Sequence, residues 1–200
     1  MLWPSPPWDS VTYWALDLET GGLDHRRDPI LAVGMVPVRA GAVRLGEAWS
    51  SLARPGSAAS ITPGSITAHQ LLPGDVRSAP SIEALLPELD LRLSEGSLLV
   101  HQASIDLPFL RRAFRDLGRR WPGPAVVDTV ELLVKEARRA RFLDPGAPDE
   151  HPDLTLSGAR QAHGLPPYQG HDALTDAIAT AELFLVLRQR LGARTLRDLR

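Results

Sequence analysis

The chain has 200 residues, 44% of them hydrophobic and 23% charged, and a formal net charge of −2. This composition is that of a soluble globular protein with one domain, or a domain with a small appendage, and it leaves no apolar run long enough for a membrane span. The absence of cysteine excludes a disulfide framework and a thiolate metal site.

The first ten residues, MLWPSPPWDS, lack the basic region and the continuous apolar core of a signal peptide. We interpret residues 1–10 as a loose leader and residues 11–200 as a single domain. The expected location is the cytoplasm.

Apolar and β-branched runs predict three strands in the first quarter of the chain, at 12–19, 30–38 and 42–52. The corner at 39–41 fits a short hairpin turn between the last two. A Gly-, Pro- and Ser-rich loop follows, with one short helix near 65–68. Leucines at helical spacing then predict a helix at 81–94, with Ser81 as its N-cap.

Strands and helices alternate in the rest of the chain. The predicted strands are 97–101 and 125–129, and the predicted helices are 106–118, 129–140, 155–163 and 172–192. The segment 141–153 has loop composition. The order predicts an α/β fold, in which a mixed sheet of about five strands, an antiparallel meander followed by parallel strands, is flanked by helices.

Asp17 and Glu19 interrupt the first predicted strand two residues apart, in the stretch YWALDLETGG. Alternate residues of a strand point to the same face, so the two carboxylates lie side by side. A solvent-facing pair at the strand end is one interpretation. The other is a site, because Trp14, Leu16 and Leu18 require the opposite face to be buried, and the turn from Thr20 that follows lets the backbone approach a ligand.

Two further acids occur in the predicted helices. Asp176 lies in a helix that is apolar on almost every side, which favours a buried carboxylate or one at a cleft edge over an acid at the wet edge of the helix. Asp106 precedes Leu107 and Pro108 at a predicted helix start, where the local sequence favours an N-cap. His171 lies in a loop before the last helix, with Asp172 as that helix's expected cap.

Several carboxylates that converge without a basic partner form a site for a hard cation. Oxygen ligands suit Mg²⁺ or Mn²⁺, and two such ions can stabilise both the attacking and the leaving oxygen of a phosphoryl displacement. A histidine beside the site can take the proton from the attacking water.

The ordered set of motifs resembles the DEDDh-type 3′–5′ exonucleases, the DnaQ-like branch of the ribonuclease H-like superfamily, which includes the proofreading epsilon subunit of bacterial DNA polymerase. LDLETGGL (16–23), LLVHQASIDLPFL (98–110) and HDALTDAIATAELF (171–184) resemble its three motifs. SITAHQL (65–71) resembles its short helix that ends in histidine, and VVDTVEL (126–132) its strand-to-helix junction. The resemblance covers about residues 13–188.

The resemblance implies a metal-dependent 3′–5′ exonuclease that releases nucleoside 5′-monophosphates. It implies that two divalent cations, Mg²⁺ or Mn²⁺, are held by Asp17, Glu19, Asp106 and Asp176, with His171 as the general base. It also implies a set of residues that meet the terminal nucleotide: Thr20, Gly21, Gly22, Leu23, His69 and Gln102. Asp128 is interpreted as a structural helix cap, with Glu131 completing a capping box.

Three positions depart from the family pattern: Gly21 replaces a second threonine, Gln102 an asparagine and Ile105 a phenylalanine. None is a predicted metal ligand, so we expect activity with altered affinity or substrate preference. The loss of an aromatic surface at 105 removes a stacking partner of the kind that contributes roughly 1–3 kcal/mol per base.

The expected partners are single-stranded 3′ ends, with DNA favoured over RNA, and no membrane. We see no docking tail after the last predicted helix, so a free-standing repair or processing nuclease is favoured over a polymerase subunit. A binding module that has kept the fold without the chemistry, and a nuclease of short RNA oligonucleotides, stay open. Arginine pairs occur at four places, most of them expected to be solvated faces: Arg26-Arg27, Arg111-Arg112, Arg119-Arg120 and Arg138-Arg139.

Overall fold

A computed structural model describes residues 5–56, 61–146 and 151–200 of the chain. Part of the predicted leader and parts of the predicted loops around 53–64 and 141–153 therefore lie outside the described residues. Within them, six strands form one mixed sheet: β1 (Tyr13–Thr20), β2 (Ile30–Arg39), β3 (Ala42–Val43), β4 (Trp49–Leu52), β5 (Ser97–Val100) and β6 (Val126–Asp128).

The sheet has the order β3-β2-β1-β5-β6, and β4 also pairs with β2. The pairs made by β2 with β1, β3 and β4 are antiparallel, whereas β5 pairs in parallel with both β1 and β6. The predicted antiparallel meander followed by parallel strands is thereby confirmed.

The predicted strand 42–52 is divided in two. A short 3₁₀ turn at Leu45–Glu47 separates β3 from β4, and the Arg44 N–H donates to the Pro37 carbonyl at 2.9 Å. This division gives six strands where about five were expected. The hairpin corner before β3 is confirmed, since Ala40 and Gly41 have φ values of 49° and 74°, as a type I′ turn requires.

Seven helices of the described chain cover the sheet: α1 (Pro63–His69), α2 (Pro73–Val76), α3 (Ile82–Glu95), α4 (Ala103–Asp116), α5 (Thr129–Leu143), α6 (Leu156–Ala162) and α7 (Ala173–Leu191). The short α2 was not predicted. A core with Trp14, Leu16 and Leu18 lies under α3 and α4, and a second core with Tyr13 and Ala15 lies under α5 and α7. Side chains of β1 therefore alternate between the two faces of the sheet and pack against a different pair of helices on each face.

The interpretation of Asp106 as an N-cap is wrong. Helix α4 begins at Ala103, so Asp106 lies in its first turn, and Gln102 is the N-cap residue. The caps expected at Ser81, Asp128 and Asp172 are at the expected positions. The Asp128 carboxylate accepts the N–H of Val130 at 2.9 Å, but its remaining bonds go to residues 102 and 103 instead of forming a box with Glu131.

The segment before β1 contacts the C-terminal part of the chain. The backbone N–H of Trp8 donates to the Arg194 carbonyl at 3.0 Å, and the Trp8 ring lies 6.5 Å from the ring of Phe184. The division at residues 10 and 11 stays a prediction. None of the helices among the described residues is both long and apolar enough to cross a membrane.

Candidate active site

A cavity of about 600 Å³ opens where the carboxyl ends of β1 and β5 meet the amino ends of α4 and α7. It is lined by the five residues predicted as catalytic: Asp17, Glu19, Asp106, His171 and Asp176. Thr20, Gly22, Leu23 and His69, four of the residues expected to meet the nucleotide, also line it. Among the described residues that line the cavity there is no lysine or arginine.

The acids of β1 lie where the strand runs past its parallel neighbour. Pairing with β5 ends at Ala15, whereas pairing with β2 continues to Thr20. Asp17 and Glu19 therefore lie on a stretch that is covered on one edge only. Both are half-buried and point to the face that α7 covers.

Asp106 reaches this stretch from the other helical layer. Asp106 is 3% exposed, and the backbone N–H of Leu18 lies near enough to its carboxylate to lower the pKa of this acid. That N–H is available because β5 no longer runs beside β1 at this level. The uncovered edge of β1 is thus what lets a residue of α4 contribute to the site.

Asp176 comes from the first turn of α7, which crosses β2 and β1 at close range. Gly34, directly opposite Asp17 in the β1–β2 register, makes this crossing possible. A Cβ at Gly34 would lie 2.2 Å from the backbone of Ala173 and Leu174. The sequence offered only a glycine within a predicted strand as the signal of this approach.

Three of the four predicted metal ligands meet closely. One carboxylate oxygen from each of Asp17, Glu19 and Asp176 lies within 4.8 Å of the other two, which is an arrangement that could hold a cation. Asp106 lies outside this group of three but lines the same cavity. The four acids belong to three elements far apart in the chain.

Burial and mutual repulsion make the charged state of this cluster costly. Burial, followed by the charges of Asp106 and Asp176, raises the pKa of Asp17 well above its usual value. Burial and the charge of Asp176 raise the pKa of Glu19 to about 7. Burial also raises the pKa of Asp106 to about 8, although the Leu18 N–H opposes this change. A bound cation would stabilise the charged form of all three carboxylates.

His171 lies at the mouth of the site, with an exposed side chain and a φ of 70°. Its backbone N–H donates to the Asp176 carboxylate at 2.8 Å. The same turn ends in the Asp172 cap of α7, whose carboxylate accepts the N–H of Thr175 at 2.8 Å. The backbone of the loop is thus bonded to an acid of the site, while the imidazole is left exposed at the cavity.

The turn after β1 forms the opposite wall. The Thr20 hydroxyl donates to the Gly22 carbonyl at 2.7 Å, and the Gly21 carbonyl accepts both the Thr62 N–H at 2.8 Å and the Ser65 hydroxyl at 2.9 Å. Helix α1 is therefore held on this turn. Leu23, at its tip, is 83% exposed.

His69, at the C-terminal end of α1, holds that end of the helix against the turn after β1. Its Nδ1 accepts the Leu71 N–H at 3.0 Å, so the neutral ring carries its proton on Nε2, which donates to the Thr20 carbonyl at 3.2 Å. Burial lowers the pKa of His69 and keeps the ring neutral. Both nitrogens are engaged with backbone, so the ring face is what His69 presents to the cavity.

Gln102 is exposed and has a φ of 70°, a conformation that favours Gly or Asn. Its N–H and that of Ala103 donate to the Asp128 carboxylate at 2.9 and 2.8 Å. The acid interpreted as a cap of α5 therefore also caps α4, the helix that carries Asp106. Gln102 and Gly21 are absent from the cavity lining.

Two residues near the site had no predicted role. His101 lines the cavity, donates from Nε2 to the Leu154 carbonyl at 2.8 Å and lies 2.7 Å from the Thr129 hydroxyl. Burial, followed by the nearby Asp176 carboxylate, raises the pKa of the Tyr168 hydroxyl. The VH pair at the end of a predicted strand was a signal for the first; the local sequence carries none for the second.

Acidic side chains converge at the end of a helix-covered mixed sheet, in an arrangement that suits a divalent cation with oxygen ligands. The chain belongs to the RNase_T family, described as exonuclease, whose family model matches residues 14–184. The predicted fold and the resemblance to DEDDh-type exonucleases are confirmed.

Individual relatives agree with this family. A DNA polymerase III subunit epsilon-like protein of Rhodobacter capsulatus is 33% identical over 95% of this chain, and a PolC-type DNA polymerase III of Thermotoga maritima is 30% identical over 88%. The chain spans only 25% and 12% of these two proteins.

A solved structure, exonuclease I of E. coli in complex with a dT13 oligonucleotide, matches with a TM-score of 0.75 over 91% of this chain and 42% of that one. Their sequences are 18% identical, so this likeness supports the fold alone.

Proposed function

We propose that the chain is a metal-dependent 3′–5′ exonuclease that removes nucleoside 5′-monophosphates from single-stranded nucleic acid, with DNA favoured over RNA. The observation that carries this proposal is the convergence of Asp17, Glu19 and Asp176 within 4.8 Å, with Asp106 in the same cavity. Acids that raise one another's pKa in this way require a cation for their charge.

The donor set fits divalent ions with oxygen ligands. Asp17, Glu19, Asp106 and Asp176 would hold two of them, Mg²⁺ or Mn²⁺. When bound, the ions would stabilise the charge on the attacking and leaving oxygens of the phosphate ester.

The residues of the chain supply the remaining steps. His171 would accept a proton from the water whose oxygen attacks the terminal phosphorus. The bond from phosphorus to the 3′ oxygen of the preceding nucleotide breaks, that oxygen takes up a proton, and the terminal nucleotide leaves with its 5′-phosphate. The exposed position of the imidazole at the cavity supports this role.

The turn from Thr20 to Leu23 would receive the terminal nucleotide. Leu23 would pack against the base, and the ring face of His69 would border the sugar. Gln102 would act through the backbone position that it gives α4 rather than by direct contact. We propose a single strand as substrate; exonuclease I, which shares the fold, was solved in complex with a dT13 oligonucleotide.

The test uses a 12-nucleotide single strand labelled at its 5′ end, as DNA and as RNA of the same sequence, with Mg²⁺ or Mn²⁺. We expect stepwise shortening from the 3′ end by the unaltered protein and no shortening by Asp17→Asn/Glu19→Gln. A matched control, Glu83→Gln/Asp90→Asn on α3, removes the same charge away from the site and keeps activity.

Retention of the intact strand with both metals would favour the binding module. Release of the 5′ label as a mononucleotide would show that the strand is hydrolysed from its 5′ end, contrary to the proposed polarity. Faster shortening of the RNA than of the DNA would favour the nuclease of short RNA oligonucleotides.

A further inference from the structure

The segment 111–120, RRAFRDLGRR, carries five arginines and one aspartate, a net charge of +4 in a chain whose net charge is −2. It forms the second half of α4 and the turn after it. Two more arginines occur in the turn after β1. We use the term basic face for the exposed arginines of these two elements: Arg26, Arg27, Arg111, Arg115, Arg119 and Arg120.

The α4 members of the basic face lie further along the helix that borders the cavity. Ile105 lines the cavity, and Arg115 follows ten residues later, about 15 Å further along the helix axis and about 80° around it. The Arg119 N–H donates to the Phe114 carbonyl at 2.8 Å, which folds the last arginines back onto the helix end. Positive charge therefore lies on the exposed surface of α4 beyond the cavity, toward the far end of the helix.

The turn after β1 is held against the same helix. The Arg112 guanidinium donates to the Asp28 carbonyl at 2.5 Å, and the His25 ring lies 6.3 Å from the ring of Phe109. The two elements that carry the basic face are therefore packed against each other, with Arg26 and Arg27 on the turn beside α4.

These positive charges are available to a ligand. Arg27 has Asp24 at 3.8 Å and Arg115 has Asp116 at 3.0 Å, both exposed pairs of the kind that contributes little to stability. Within the described parts of the chain, the guanidinium groups of Arg26, Arg119 and Arg120 have no acidic partner. Several such cations on two adjacent elements fit a polyanion.

The position of the cavity mouth indicates the path by which such a polyanion would pass from the cavity to the basic face. Leu23 and Ile105 both line the cavity, are 83% and 38% exposed, and lie on the two elements that carry the basic face. Resting on the proposed function, we propose that the basic face binds the phosphates of the single strand behind its 3′-terminal nucleotide, as the strand leaves the cavity between Leu23 and Ile105.

The test compares two triple variants with equal loss of charge. The face variant is Arg26→Gln/Arg119→Gln/Arg120→Gln, and the control is Arg138→Gln/Arg194→Gln/Arg197→Gln, on α5 and the C-terminal segment. Fluorescence anisotropy measures the Kd for a 5′-labelled dT12 strand with Ca²⁺ in place of Mg²⁺, between 50 and 200 mM salt. Thermal unfolding shows that both variants are folded.

We expect the face variant to bind at least about fivefold more weakly than the control at the lowest salt, with a salt slope smaller by about 0.7 for each phosphate that is no longer neutralised. With Mg²⁺, the ratio of kcat/KM on the strand to kcat/KM on the p-nitrophenyl ester of thymidine 5′-monophosphate should fall by a similar factor. Equal Kd, slope and ratio in the two variants would overturn the proposal.

The two proposals fail separately. If the unaltered protein hydrolyses the strand and the face variant matches the control, the basic face is dismissed and the exonuclease stands. If nothing is hydrolysed but the difference in Kd and salt slope persists, the basic face stands and the exonuclease is dismissed.

Discussion

A substitution at His171 has to remove the imidazole without disturbing the backbone, because the two have different roles in the site. Its backbone N–H supports Asp176, and its φ of 70° is a conformation that Asn tolerates better than Ala. His171→Asn therefore removes the imidazole while keeping the backbone. We expect kcat to fall by about 10²- to 10⁴-fold, the usual contribution of a general base.

Isothermal titration with Mn²⁺ separates the general-base role from a ligand role for His171. The affinity for Mn²⁺ in His171→Asn should stay within about twofold of the unaltered protein, because the acids are untouched. A large loss of Mn²⁺ affinity would show that the histidine is a ligand, contrary to the role proposed for it.

We expect Tyr168 to position Asp176, because the two side chains interact. Its ring lies 4.9 Å from the guanidinium of the buried Arg160, which is in turn paired with Glu182 at 2.8 Å. Tyr168→Phe keeps this stacking and removes only the hydroxyl group that interacts with the Asp176 carboxylate.

Partners of metal ligands typically account for 10- to 100-fold in metal affinity or activity. We therefore expect the Mg²⁺ concentration for half-maximal activity of Tyr168→Phe to rise about tenfold, with an unchanged unfolding temperature. Tyr13→Phe, which alters a buried phenol away from the cavity, serves as the control. An unchanged Mg²⁺ requirement would show that Asp176 keeps its orientation without Tyr168.

Helix α7 brings Asp176 to the sheet only because β2 has a glycine at the crossing. In Gly34→Ala the new methyl group would meet backbone at 2.2 Å, and backbone cannot move aside as a flexible side chain can. We expect the free energy of unfolding to fall by about 1–3 kcal/mol, the usual cost of overpacking, or by somewhat more.

Because α7 must shift, activity should fall further than stability explains. Kinetics at a temperature where the variant is fully folded, with urea unfolding in parallel, check this expectation. The equivalent substitution Gly46→Ala, where a Cβ would meet nothing within 4 Å, is the control. Full activity in folded Gly34→Ala would mean that the position of Asp176 does not depend on this crossing.

The spacing of apolar and acidic residues in the sequence could predict the strands and helices that depend on short-range interactions. The two-residue spacing of Asp17 and Glu19, and the apolar surroundings of Asp176, placed these acids correctly on β1 and α7. The start of α4 could not be predicted, because its cap is the carboxylate of Asp128, 26 residues beyond Gln102 in the sequence and on a neighbouring strand. The contact of Asp106 with β1 depends on where β5 ends, which is a property of the sheet and not of the segment.

At the scale of the whole molecule, the acid cluster links folding, pH and metal. The pKa of Glu19 is raised from 4.5 to about 7 and that of Asp106 from 3.8 to about 8 when no cation is bound. Between about pH 4 and 8 the folded protein therefore keeps protons that the unfolded chain has released. The unfolded state binds fewer protons, so stability must fall as pH rises through this window.

Divalent ions should reverse this trend, since they compete with the protons for the same oxygens. We expect the unfolding temperature in EDTA to decline from pH 5 to pH 8, and the increase caused by Mn²⁺ to be larger at pH 8 than at pH 5. Differential scanning calorimetry at fixed ionic strength measures both.

Asp17→Asn/Glu19→Gln removes the repulsion and two of the proposed metal ligands together. Its unfolding temperature in EDTA should therefore exceed that of the unaltered protein at pH 8, and Mn²⁺ should raise it little. If the unaltered protein in EDTA instead became more stable between pH 5 and 8, the four acids would have to be compensated by protein groups. The cavity would then have no need of a cation, and the metal-dependent reaction would lose its physical basis.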